Sequence, residues 1–70
     1  MNDRHEHAHV GDLHLEAWQA DGWAHSRVEN SKAHEQLYVA KSKRLIAVKV
    51  CALAFAQITD KVEWKPVERI

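Results

Sequence analysis

Four side chains near the start of the chain have the types and the spacing to hold a metal ion. His7, His9 and His14 are imidazole donors, and Glu16 is a carboxylate two positions beyond the last of them. Alternate residues of an extended strand project to the same face. His7 and His9 therefore share a side if residues 5–10 are a strand, and His14 and Glu16 share one if residues 13–20 are another. Two or three imidazoles and a carboxylate about 5 Å apart suit zinc, nickel or iron and leave a position open for water. Hydrolysis there would also need a general base, and Glu16 is the one nearby candidate. The competing reading is a solvated histidine-rich arm whose metal affinity is incidental. No metal motif of fixed spacing and no catalytic motif accompanies the cluster, so an enzyme is not expected. No cofactor is required, with a divalent ion such as zinc as the one candidate.

Two turns would bring these residues together. Asp21-Gly22, between Ala20 and Trp23, is the signature of a type I′ hairpin, in which both central positions need a positive φ. The register then sets Trp18 against His25, Ala17 against Ser26, Glu16 against Arg27, Leu15 against Val28 and His14 against Glu29. Glu16–Arg27 is charge-complementary, and His14–Glu29 becomes so on protonation; such pairs support a register by a few tenths of a kcal/mol up to about 1 kcal/mol. Upstream, Gly11-Asp12 suits a type II′ loop, which sets His9 against His14, His7 against Glu16 and His5 against Trp18. The expectation is a three-stranded antiparallel meander over about 5–10, 13–20 and 23–29. It falls to two strands if the first, HEHAHV, is too poor in β-formers to hold.

This register sorts the residues. Ala8, Val10, Leu13, Leu15, Ala17, Ala24, Ser26 and Val28 fall on one face, apolar or small and suited to packing under a helix. His5, His7, His9, His14, Glu16, Trp18, Trp23, His25, Arg27 and Glu29 fall on the other. A one-residue slip would exchange the faces and expose Leu13, Leu15 and Val28. On the polar face, Trp18 and Trp23 are large apolar groups beside His25 and Arg27. Tryptophan and arginine are enriched where binding energy concentrates, so these four form a candidate protein-contact patch. The alternative is that the tryptophans pack under the C-terminal arm, against Trp64.

Beyond Asn30-Ser31, either of which can cap a helix, no glycine or proline occurs before Pro66. The reading is one helix over about 32–60, roughly 45 Å long at 1.5 Å per residue, with Lys41-Ser42-Lys43-Arg44 as an alternative point of division. Within it, Leu45–Ile58 is apolar at twelve of fourteen positions. Leu45, Ile46, Val48, Val50, Leu53 and Phe55 lie on different sides. A helix apolar nearly all round is buried nearly all round, and a strand of eight residues spans only about 27 Å. A second copy of the chain is the simplest cover, with the alanines at 47, 52, 54 and 56 permitting close approach. The arm 61–70 carries Val62 and Trp64 in alternation before Pro66, which confines any strand there to a sheet edge.

Seventy residues allow one domain with a small core, for which oligomerisation or a metal is the usual support. A disulfide within the chain is excluded, because Cys51 is the single cysteine. Its place in an apolar run reads as a buried thiol, in keeping with a reducing compartment. The polar start is unlike a secretory signal, and no apolar stretch approaches the 20 or so residues of a membrane span; a cytoplasmic protein that does not enter a membrane is expected. Net charge is zero, yet residues 1–30 carry −4 and residues 31–50 carry +4. Lys32, Lys41, Lys43, Arg44 and Lys49 could meet phosphates and Trp18 and Trp23 could stack on bases. With the lysines on a helix and the tryptophans on a sheet, one surface need not hold both, and overall neutrality disfavours nucleic acid.

The expected fold is thus α+β: a two- or three-stranded antiparallel meander followed by one long helix, one domain over 1–70, assembled as a homo-oligomer, most simply a dimer. The expected role is non-catalytic protein binding or regulation through Trp18, Trp23, His25 and Arg27. Metal binding by His7, His9, His14 and Glu16 is the first alternative. Nucleic-acid binding by the basic helix segment is the second.

Overall fold

The computed structural model describes residues 4–67. The ends of the chain, including the last three residues of the expected arm, lie outside the described residues. The first three strands run as the two turns dictate. Strands β1 (His5–Val10), β2 (Leu13–Ala20) and β3 (Trp23–Asn30) pair antiparallel. Their registers set His9 against His14 and Trp18 against His25. Asp21 and Gly22 both take positive φ, 54° and 80°, as a type I′ turn requires. In the Gly11-Asp12 turn only the glycine does, at 59°, which is the type II′ pattern.

The long helix expected over 32–60 does not exist. Glu35–Ser42 is a fourth strand, β4, paired antiparallel with β3. The helix, α1, is Leu45–Phe55, eleven residues. Lys65–Pro66 forms a short edge strand, β5, against β1. Among the described residues the sheet has five strands in the order β4-β3-β2-β1-β5. The meander of two or three strands with one long helix is therefore overturned.

Local chemistry explains the difference. Asn30 does act as a cap, but for a turn: its Oδ1 accepts from the N–H groups of Lys32 at 3.0 Å and Ala33 at 3.2 Å. His34 then reverses the chain with φ at 54°. An Asx-turn and a helix N-cap use the same side-chain oxygen in the same way. Leu37, Tyr38, Val39 and Ala40 follow as an unbroken apolar run, in which the period of two is invisible because both faces are apolar. Tyr38 and Ala40 pack towards α1, whereas Leu37 and Val39 are exposed.

The helix ends just as discreetly. Gln57 takes φ at 57°, its N–H bonds to the Ala54 carbonyl at 3.2 Å, and the Ile58 N–H bonds to the Leu53 carbonyl at 3.0 Å. This is a Schellman cap made without glycine, and Leu53 and Ile58 both pack against the core around Leu15, Val28 and Ala52.

One face of the sheet carries α1 and the core. Ala8, Leu15, Ala17, Ala24, Ser26 and Val28 are buried there beneath Leu45, Val48 and Ala52 of the helix. Small residues on both sides let helix and sheet approach closely, which is what Ala52 does instead of meeting a second helix. Trp64 joins both halves of the core from the C-terminal segment, so it packs on the inner face, away from Trp18 and Trp23. Lys49, the charge inside the apolar run, ion-pairs with Glu6 of β1 and lies over the Trp64 ring.

An eleven-residue helix spans about 16 Å, so its length no longer calls for a second copy, and its own sheet covers one side of it. Leu45 and Val48 are spent in the core of the chain and Leu53 is partly buried there. Ile46, Val50 and Phe55 remain 57%, 55% and 46% exposed, and Phe55 stacks on Tyr38 with centroids 4.6 Å apart. Cys51, expected inside, is a free exposed thiol. No helix among the described residues is long and apolar enough to cross a membrane.

Candidate metal centre

Among the described residues no helix lies over the outer face of the sheet, and the histidines lie there because strand alternation puts them there. His7 and His9 come from β1 and His14 from β2, joined by the two-residue turn at Gly11-Asp12. That turn is held from the side by Ser31, whose N–H and Oγ both bond to the Asp12 carbonyl, at 2.8 Å and 3.0 Å. One nitrogen from each of His7, His9 and His14 can be chosen so that all three lie within 4.8 Å of one another. His14 Nδ1 and His9 Nε2 are 2.7 Å apart and share a hydrogen bond, so one of the two nitrogens carries a proton.

Around a tetrahedral zinc with Zn–N near 2.05 Å, donor nitrogens stand about 3.3 Å apart. Seating an ion would replace the shared proton and open the His9–His14 pair by about half an ångström. Rotation of exposed His9 can supply that. Three imidazoles with one position free is the arrangement of open zinc sites, and it equally suits copper, nickel or cobalt. His7 and His9 also line one wall of a cleft of about 520 Å³, between β1 and the segment after α1.

Glu16, expected as a fourth ligand, is otherwise engaged. Its Oε1 accepts from Arg27 Nη2 at 2.6 Å and its Oε2 pairs with His5 Nε2 at 2.6 Å. Burial pushes this carboxyl up, and the hydrogen bonds from Arg27 and His5 outweigh that, leaving its pKa below the ordinary value. The same contact raises Arg27. A carboxylate held ionised by two donors is a poor general base. It is well placed as an outer partner: Oε1 lies 3.3 Å from His14 Nε2, a buried nitrogen with no aligned hydrogen bond. Outer carboxylates of this kind fix the tautomer and direction of a ligating imidazole.

The expected contact patch divides in two. Trp18, His25 and Arg27 satisfy one another: His25 stacks on Trp18 at 5.4 Å and 12°, and the Arg27 guanidinium lies 5.5 Å from the Trp18 centroid. Trp23 stands apart, 37% exposed, with Lys41 Nζ at 4.7 Å and Lys43 Nζ at 4.8 Å from its ring centroid. Sequence reasoning missed two roles. The expected site omits His5, which is diagonal to Glu16 in the register. The expected helix holds Lys41 and Lys43, whereas Lys41 lies in β4 and Lys43 just beyond its end.

No protein-family model matches the chain, no curated protein matches it, and no solved structure matches it. Its site must be read from its own geometry.

Proposed function

We propose that the protein binds a divalent transition metal, zinc being the reference ion, through His7, His9 and His14, without catalysing a reaction. The observation that carries this reading is the convergence of the three donor nitrogens within 4.8 Å across a fixed hairpin. Glu16 acts from outside the ligand set by orienting His14. Its two hydrogen-bonded oxygens leave no free base beside the ion, which favours binding or sensing over hydrolysis. Protein contact through Trp18, Trp23, His25 and Arg27 is the weaker reading, since three of those four groups are engaged with one another.

The test is a zinc titration of untagged protein against a chromophoric chelator. One ion per chain is expected. Outer-shell changes typically cost about 10–100-fold in affinity, so His9→Ala and His14→Ala, which remove ligands, should each cost at least tenfold. His25→Ala and His34→Ala, outside the cluster, should cost nothing. Unchanged affinity in both His9→Ala and His14→Ala would end this reading.

A further inference from the structure

Opposite the histidines, the other end of the outer face collects cations without acids. Lys41 and Lys43 both direct their ammonium groups at Trp23, and Arg44 follows at once in sequence. Among the described residues, Arg4, Arg27, Lys49 and Lys65 each have a carboxylate within ion-pair distance; Lys32, Lys41, Lys43, Arg44 and Lys61 have none, and of these Lys41 and Lys43 converge on one aromatic ring. Asp21, the nearest acid along the β2–β3 turn, makes no ion pair either. Glu16 and Glu29 are both drawn to Arg27, towards the middle of the sheet.

The cations surround flat rings. Trp23 and His25 are two residues apart on one strand and so about 7 Å apart on one face. His25 extends the platform by its parallel stack on Trp18. Cations free of acids ask for an anion, and an exposed indole beside a second flat stack asks for a planar, polarisable group. An acidic protein segment would meet the first need only. A duplex would present phosphates and hide its bases. An unpaired strand offers both at short spacing, phosphates to lysines and base faces to aromatic rings.

We propose that the Trp23 end of the outer face, with Lys41, Lys43 and Arg44, binds single-stranded nucleic acid. Lys41 and Lys43 leave the Trp23 ring for phosphate oxygens as a base takes their place on the indole. This site is independent of the metal reading. The sequence raises nucleic acid as an alternative but sets the lysines on a helix; β4 instead brings Lys41 onto the sheet face that holds Trp23 and His25.

The experiment is a fluorescence-anisotropy titration of the full chain with a labelled oligothymidylate of about ten nucleotides, within the usual site sizes. Three phosphate contacts on a single strand predict a slope near −2 for log K against log salt. Lys41→Glu with Lys43→Glu should weaken binding at least tenfold. Trp23→Ala should weaken it about tenfold, and Trp23→Phe, which keeps a ring, should recover most of that. His9→Ala should have no effect, and thermal melts establish that each variant is folded. The proposal is overturned if the unmodified protein does not bind at low salt, or if the double lysine variant binds as tightly. It is also overturned if Trp23→Ala is without effect, which would mark a plain polyanion surface, or if polyglutamate competes as well as the oligonucleotide.

Discussion

At the β1–β2 end of the outer sheet face, His7, His9 and His14 turn ring nitrogens on one another. At the β2–β3 end, Lys41 and Lys43 turn positive charge on an indole. Both ends are laid out by the same alternation of strand side chains, on the same uncovered surface. What separates them is the middle. Glu16 takes Arg27 and His5 to itself, and Trp18, His25 and Arg27 close over one another. The histidine end is left with donors and no fourth partner, and the tryptophan end with cations and no acid. A sheet face becomes two sites of opposite preference, one for a cation and one for an anion, because its centre is electrically and sterically satisfied.

That contrast depends on one sheet holding both ends, and the most damaging change should remove both together. Leu15 is fully buried in the middle of β2, against Val28 and Ala52. Leu15→Ala should cost about 2–5 kcal/mol, a large part of what a domain this small has to lose. Urea unfolding measures the loss, and metal and oligonucleotide binding should fall in step with the folded fraction. Retention of one binding activity by an unfolded variant would show that activity to be a property of the unfolded chain.

Glu16→Gln is a sharper cut, because it should affect one end only. The variant keeps the shape of the side chain and loses its charge, so the pairs with Arg27 and His5 weaken at a cost of about 1 kcal/mol, given the partial exposure of Arg27. Zinc affinity should fall about tenfold as His14 loses its orienting partner. Oligonucleotide affinity should be unchanged. Equal zinc affinity in the variant and the parent would confine Glu16 to a structural role.

The histidine end was legible in the sequence and the tryptophan end was not, for a physical reason. The first three strands are punctuated by Gly11 and by Asp21-Gly22, residues whose backbone freedom announces a turn. Once the turns are fixed, the register, the buried face and the meeting of His9 with His14 all follow. Beyond residue 30 the chain turns twice more, at His34 and Gln57, with side-chain-bearing residues in the left-handed region. Nothing in their types marks them. The apolar run in β4 hides its period, and a cap at Asn30 serves a turn as well as it serves a helix. Reading 32–60 as one helix takes Lys41 off the sheet, and the length part of the oligomer argument rests on that same helix. His5 is less legible for a smaller reason: it meets Glu16 on the diagonal rather than directly across the ladder.

The smallest expected effect concerns the satisfied centre itself. The Glu16 carboxyl titrates lower in the folded chain than in the unfolded one, despite the burial that opposes this, because Arg27 and His5 hold its charged form. A depressed carboxyl contributes stability that is present above its unfolded value and is lost as pH falls through its folded one. The contribution should therefore be complete above the ordinary carboxyl value of 4.5 and fade below it. Comparing urea midpoints of the parent and Glu16→Gln removes groups common to both. Their gap, about 1 kcal/mol or less for a partly exposed pair, should close on the acid side of that value. A gap that grew in acid would mean that Glu16 is better held protonated than ionised. The division of the outer face into a cation-binding and an anion-binding end would then need another cause.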